Sequence, residues 1–320
     1  MPPNIPTIAY IGPPVGRDSA QGAVEARARI VNVELTADAL AQALKTADGL
    51  VDAAIRIPIS DAMIAAAANL KVISCASTGT DHVARSEVTK RGIVVRSLRD
   101  LPDVIRDLTP AAELTWALIL ACARKLPAAL AHVRSGGWER ERIPALMLNG
   151  RQIGLIGCGR IGGWIARYAQ AFGMRVVGYD PHVGVFPPEI ARVPLDELLR
   201  SSDVVSVHVP LNEETKGLVS ASLLDLAKPG AIVVNTSRGS IVDEAALLKG
   251  LQSGRIGAAG LDVLEGEPNI GSHPLLRYAR ENDNLLITPH CGGFSPDAVA
   301  KVAAHAAKVA LAIIEEGAPK

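Results

Sequence analysis

Short aliphatic runs recur along the chain, and between them apolar positions take the wider spacing of amphipathic helices. The runs at 7–11, 31–35, 51–55, 71–75 and 93–95 have strand length, while 37–45 and 61–68 carry helical periodicity. Strands alternating with helices in this way predict a parallel sheet. A long helix is expected from Thr109-Pro110 to about 126. Threonine is a good N-cap there, and proline suits the first helical position. It is apolar on nearly every side, which predicts burial against another domain or subunit. A second strand–helix series follows, with strands at 152–156, 175–179, 204–207, 231–235, 258–263 and 285–288. Six strands with helices between them suit a dinucleotide-binding sheet. A last helix at 296–315 is expected to return to the first domain. The expected division is 1–103 with 294–320 as one discontinuous domain, and 104–293 as the other.

Composition narrows the function classes. The 320 residues are 48% hydrophobic but only 3% aromatic, so the cores must be built from Ala, Val, Ile and Leu. Lys+Arg and Asp+Glu are both 33, so there is no basic field for nucleic acid or for a membrane surface. Cys75, Cys122, Cys158 and Cys291 show no C-x-x-C pair or metal-ligand spacing. Reduced thiols in a cytoplasmic protein are expected, with no metal site. The start of the chain shows no leader pattern, and the most apolar stretch, 114–122, is too short to span a bilayer.

The first chemical motif is G-x-G-x-x-G at Gly157, Gly159 and Gly162, with Arg160 and Ile161 inside it. The pattern is weak alone, but here it follows an aliphatic strand and opens a helix at 160–172. The turn, the close backbone approach and the helix N-terminus then serve a pyrophosphate. Asp180 ends the next strand, near the spacing expected for the carboxylate that holds the adenosine ribose hydroxyls. That anion favours NAD over NADP, and no arginine is read as following it to reverse the preference.

Three further segments end strands, where open α/β sheets bind ligands. They are Asn235-Thr236-Ser237-Arg238-Gly239, Gly260-Leu261-Asp262 through Glu265-Gly266-Glu267-Pro268, and Thr288-Pro289-His290-Cys291-Gly292-Gly293. Reducing a 2-oxo acid demands a cation or N–H donors for the carboxylate, and an acid that protonates the carbonyl oxygen. A histidine backed by a carboxylate meets the second demand.

With these segments, the chain resembles the D-isomer-specific 2-hydroxyacid dehydrogenase family, especially phosphoglycerate dehydrogenase cores and glyoxylate or hydroxypyruvate reductases. Thr78-Gly79-Thr80-Asp81, Ala112-Glu113-Leu114-Thr115, Gly136-Gly137-Trp138-Glu139, Leu148-Asn149-Gly150, His208-Val209-Pro210-Leu211 with Thr215, and Ile241-Val242-Asp243-Glu244 carry the likeness. The resemblance implies an α/β fold of two parallel-sheet domains, a Rossmann NAD-binding domain and a flavodoxin-like substrate domain. It implies His290 as general acid/base, Glu267 as its partner, and Arg238 orienting the substrate. Arg56 and the N–H groups near Thr78 and Gly79 would meet the substrate. Val209, Pro210 and Thr215 would line the adenosine and pyrophosphate side, with Thr236 and Asp262 at the nicotinamide end. The implied partners are a small 2-hydroxy/2-oxo acid and a second copy of the chain in a homodimer. His82 and His208 are read as structural or ligand-adjacent, and His132, His182, His273 and His305 as surface residues. An NAD-sensing corepressor-type protein on the same fold is the alternative.

Departures from the family pattern fall where substrate is read: Ile57, Ser77, Phe294, and a segment at 98–107 expected to be an extended loop. Arg99 or Arg106 in that loop is a candidate for reading a second polar group on the substrate.

Overall fold

The computed structural model describes residues 5–316, which divide into two compact units, 5–108 with 293–316 and 109–292. Among the described residues, twelve strands form two sheets.

The first unit holds β1 (Thr7–Ile11), β2 (Arg29–Asn32), β3 (Gly49–Asp52), β4 (Val72–Cys75) and β5 (Val94–Arg96), in the order β2-β1-β3-β4-β5. Every pairing is parallel. This is the flavodoxin-like order, whose direction reverses between β1 and β3. Side chains alternate between two cores. Ala9 and Ile11 pack with Leu40, Leu44, Ile64 and Ile73 on one face. Ile8 and Tyr10 pack on the other with Ala303, Ala307 and Leu311 of the final helix, Pro296–Glu316. Alanines along that helix let it lie close on the sheet.

The second unit holds β6 (Gln152–Ile156), β7 (Arg175–Tyr179), β8 (Ala191–Arg192), β9 (Val204–Val207), β10 (Ala231–Asn235), β11 (Ile256–Leu261) and β12 (Leu285–Ile287). Their order is β12-β11-β10-β9-β6-β7-β8, again all parallel. Six of these strands reproduce the doubly wound Rossmann order, with its reversal between β6 and β9. Both faces are covered, so the strands read as continuous aliphatic runs.

Several local expectations need correction. The third strand ends at Asp52 rather than 55, because the Asp52 carboxylate captures the N–H groups of Ala54 and Ile55 and turns the chain. The second strand lies at Arg29–Asn32, and its register is set by pairing with β1 alone. The eleventh runs Ile256–Leu261, two residues earlier than expected. Helices Pro14–Val24 and Ser86–Arg91 were not anticipated from apolar spacing. The long apolar helix stops at Ala123, and Lys125 takes a left-handed conformation before a second helix, Leu126–Arg134. Thr109 does not cap it: its backbone is helical, and its hydroxyl donates to the Glu113 carboxylate instead. Residues 98–107 are not an open loop. A 3-10 turn, Leu98–Asp100, closed by a Ser97–Asp100 capping box, leads into the short helix Pro102–Ile105.

Candidate active and dinucleotide site

The glycine turn follows β6, at the strand-order reversal of the second unit. Gly157 has φ of 97°, and a Cβ there would lie 2.7 Å from the backbone of His208. A Cβ on Gly162 would fall 2.2 Å from the Gly157 carbonyl oxygen, so the helix Arg160–Ala171 approaches the turn too closely for any side chain. A Cβ on Gly159 would meet open space. That gap, beside a helix N-terminus with no side-chain cap, fits a pyrophosphate approaching the backbone.

Asp180 ties the end of β7 to this turn. Its Oδ2 accepts the Cys158 N–H at 2.9 Å, and its Oδ1 accepts those of His182 and Val183. An arginine distant in sequence also reaches this corner. Arg192 donates to the carbonyl oxygens of Asp180 and Val183, and its guanidinium lies 4.8 Å above the Phe186 ring. Arg160 and Ile161 open the helix half-buried, with desolvation lowering the pKa of Arg160. Thr215 is buried, its hydroxyl donating to the Pro210 carbonyl at the end of a segment in which Val209 is half-buried and Pro210 exposed. Both ring nitrogens of His208 are buried without a hydrogen-bond partner in the structure, and burial pushes the imidazole pKa down to about 3. It is therefore neutral near pH 7.

The three chemistry-bearing segments all belong to this unit. Arg238 follows β10. Asn235 shapes its turn, donating from Nδ2 to the Arg238 carbonyl and accepting the Ser237 N–H. The Arg238 guanidinium itself donates to the Ser237 carbonyl at 2.8 Å. A Cβ on the next residue, Gly239, would collide with the backbone of Leu264 and Glu265, so this turn lies directly against the acidic loop. In that loop Glu267 Oε1 meets His290 Nδ1 at 2.6 Å, both side chains 28% exposed.

His290 has φ of 50°, unusual for a residue with a side chain. Asp262, 1% exposed, holds that turn. Its Oδ1 accepts the Thr288 hydroxyl at 2.5 Å and the Cys291 N–H at 2.9 Å, and its Oδ2 accepts the Gly292 N–H at 2.7 Å. Beside the cofactor contact that the resemblance implies, Asp262 shapes the turn that carries His290. Thr236 pairs through its hydroxyl with Thr115 at 2.7 Å. The half-exposed Cys291 has its thiol pKa raised, first by desolvation and then by Asp262.

Sequence reading missed Glu244 and His273 as supports. Glu244 Oε1 accepts the Glu265 N–H, and its Oε2 meets His273 Nε2 at 2.9 Å. The pair anchors the loop bearing Glu267. His273 is thus not a surface residue: its side chain is 14% exposed, and its Nδ1 caps the helix Pro274–Glu281. The His-Pro step at that helix start was the available signal. His132 and His305 are also only half-exposed, His132 beside Glu139 and His305 bonded to the Lys301 carbonyl, whereas His182 is exposed.

Arg56, Thr78 and Gly79 lie in the first unit, on the loops after β3 and β4; Arg56 is exposed and the other two are half-buried. Arg106 pairs with Asp103 on the surface helix that replaces the expected loop.

Residues 116–292 match the model of the D-isomer specific 2-hydroxyacid dehydrogenase NAD binding domain. The chain is 41% identical over 239 residues to the D-3-phosphoglycerate dehydrogenase of Archaeoglobus fulgidus, covering 74% of this chain and 44% of that one. It is 40% identical over 253 residues to the glyoxylate reductase of Korarchaeum cryptofilum, covering 77% and 74% respectively. A crystal structure of a Thermus thermophilus protein superposes with a TM-score of 0.84 at 35% identity, covering 97% of each chain. The chain therefore belongs to the D-isomer-specific 2-hydroxyacid dehydrogenase family, and its cofactor is NAD. It spans only about half the length of the phosphoglycerate dehydrogenases it matches, 43–49% of each.

Proposed function

We propose that this protein interconverts a small D-2-hydroxy acid and its 2-oxo acid, with a phosphoglycerate-, glyoxylate- or hydroxypyruvate-like substrate. The observation that carries the reading is the 2.6 Å Glu267–His290 pair beside the Arg238 turn, in a chain of this family. NADH supplies the hydride to C2. Glu267 engages Nδ1 and stabilises the imidazolium, leaving Nε2 as the atom that donates a proton to the carbonyl oxygen. In the reverse direction Nε2 accepts the hydroxyl proton as hydride leaves. Arg238 orients the carboxylate and polarises the carbonyl, while Arg56 and the N–H groups of Thr78 and Gly79 bind the carboxylate. Gly157, Gly159, Arg160, Ile161 and Gly162 hold the pyrophosphate. Asp180, Val209, Pro210 and Thr215 serve the adenosine side, and Thr236 with Asp262 the nicotinamide end.

The test follows NADH absorbance with glyoxylate, hydroxypyruvate, phosphohydroxypyruvate and pyruvate, for wild type and His290→Ala. Turnover lost in the variant supports the reading. No turnover of any 2-oxo acid, with NADH still bound, overturns it.

The reading extends to a cytoplasmic homodimer. No single described helix is long and apolar enough to cross a membrane. Leu126, Leu130 and Val133 on the helix Leu126–Arg134, with Trp138 and Met147 beyond it, are 45–84% exposed. Apolar side chains at helical spacing on one exposed face suit a second copy of the chain. Light scattering that returned the mass of one chain would refute the dimer.

A further inference from the structure

The first unit contains a second carboxylate–imidazole pair, outside the site just described. Asp52 ends β3, where the strand order reverses, and its side chain is 3% exposed. Its Oδ2 lies 2.7 Å from Nε2 of His82, itself 11% exposed. Its Oδ1 accepts the N–H groups of Ala54 and Ile55, both at 2.9 Å. A carboxylate oxygen accepts, so the bond is made by the ring with its proton on Nε2. Burial first, and then the charge of Asp52, raises the thiol pKa of Cys75 to about 12 and pushes that of Tyr10 upward.

Two loops are joined here. The loop after β3 carries Arg56, and the loop after β4 carries Thr78 and Gly79. They pair directly at their far ends, where the Ile59 N–H donates to the His82 carbonyl and the Ala84 N–H to that of Ile59. From that end the His82 side chain reaches back to Asp52, at the start of the first loop. Ile55 has φ of 51°, a conformation that strongly disfavours a β-branched residue. The hydrogen bond to Asp52 Oδ1 holds it there, and so sets where the chain leaves toward Arg56. Ser77 Oγ donates to the Gly79 carbonyl at 2.7 Å and tightens the second loop locally.

We propose that Asp52 and His82 are positioning residues for substrate, locking the Arg56 loop and the Thr78–Gly79 loop into one carboxylate-binding frame. This rests on the proposed 2-oxo acid chemistry. A buried link of this kind does nothing to the proton or hydride. It removes freedom from groups that must converge on one carboxylate before binding.

The test compares His82→Leu, which deletes the donor, with His82→Gln, whose amide can replace it. Peptide hydrogen exchange over 53–57 and 76–83 is read with kcat, KM for the best 2-oxo acid, and NADH affinity. The expected result for His82→Leu is faster exchange in both segments and a KM raised roughly tenfold, the worth of about one buried hydrogen bond. NADH affinity and saturated kcat stay within about threefold, and His82→Gln restores both exchange and KM. Unchanged exchange overturns the proposal, as does faster exchange with an unchanged KM, or a KM raised equally by Gln and Leu. If His82→Leu does not fold, Asp52→Asn carries the same expectations and the same overturning results. If wild type turns over no 2-oxo acid, the functional reading fails by itself, and the exchange data still decide whether the pair locks the loops.

Discussion

Asp52–His82 in the first unit and Glu267–His290 in the second are nearly the same interaction, 2.7 and 2.6 Å long. Their surroundings differ. The first pair is 3% and 11% exposed, and its carboxylate also holds two backbone N–H groups. The second is 28% exposed on both sides, and a separate buried residue, Asp262, does the backbone work. The division of labour is instructive. A carboxylate occupied by its own backbone, with a ring sealed over it, can only fix geometry. One relieved of that duty can tune an imidazole that still reaches solvent or substrate. Burial and competing hydrogen bonds decide which role the same two residue types play.

The largest effect that would sharpen this contrast is His290→Asn, expected to lower kcat by about three orders of magnitude, the scale of general acid–base catalysis, with NADH affinity retained. A comparable kcat loss in His82→Leu at unchanged KM would erase the distinction. Glu267→Gln is expected to lower kcat/KM by roughly 10–100-fold, because a neutral amide no longer stabilises the imidazolium that donates the proton. Steady-state kinetics equal to wild type would place Glu267 outside the chemistry.

Asp262→Ala should act on structure and catalysis together. It strands the Thr288 hydroxyl and the N–H groups of Cys291 and Gly292, and a loss of about 2–4 kcal/mol in denaturant unfolding is expected, with kcat falling as the His290 turn loosens. Full stability with reduced NADH affinity would instead favour a direct cofactor role.

The smallest effect concerns a histidine in neither pair. Burial pushes the folded pKa of His208 down to about 3, well below the 6.5 of a free imidazole. The unfolded chain therefore binds the extra proton, and stability falls as pH drops below about 6.5, by up to about 1.4 kcal/mol per unit until the folded pKa is reached. His208→Asn should flatten that slope between pH 6 and 5 by about one proton in urea unfolding. Identical slopes would mean the ring is protonated in the folded state.

Much of the second unit was legible in sequence because its signals are local. Strands β6, β7, β9 and β10 fall at the expected residues, since strands covered on both faces read as uninterrupted aliphatic runs. The glycine turn, Asp180, Arg238, Glu267 and His290 each sit in a motif only a few residues long. The first unit was read less well. Strand β3 was drawn through Asp52 as part of an apolar run, because nothing nearby in sequence shows that His82, thirty residues on, caps its carboxylate. Helix Pro14–Val24 was missed because its weak apolar stripe, Gly16, Ala20 and Val24, is meaningful only against the final helix.

The sequence by itself determined the class of fold, the glycine turn and the residue types proposed for proton transfer, because hydrophobic period and turn chemistry act over a few residues. Tertiary structure alone decided which carboxylate each histidine meets, that Asp262 spends itself on the His290 turn, and that Glu244 with His273 braces the acidic loop. Those assignments depend on strands far apart in the chain ending side by side in a sheet. There, burial makes each unpaired polar group costly enough to dictate its partner.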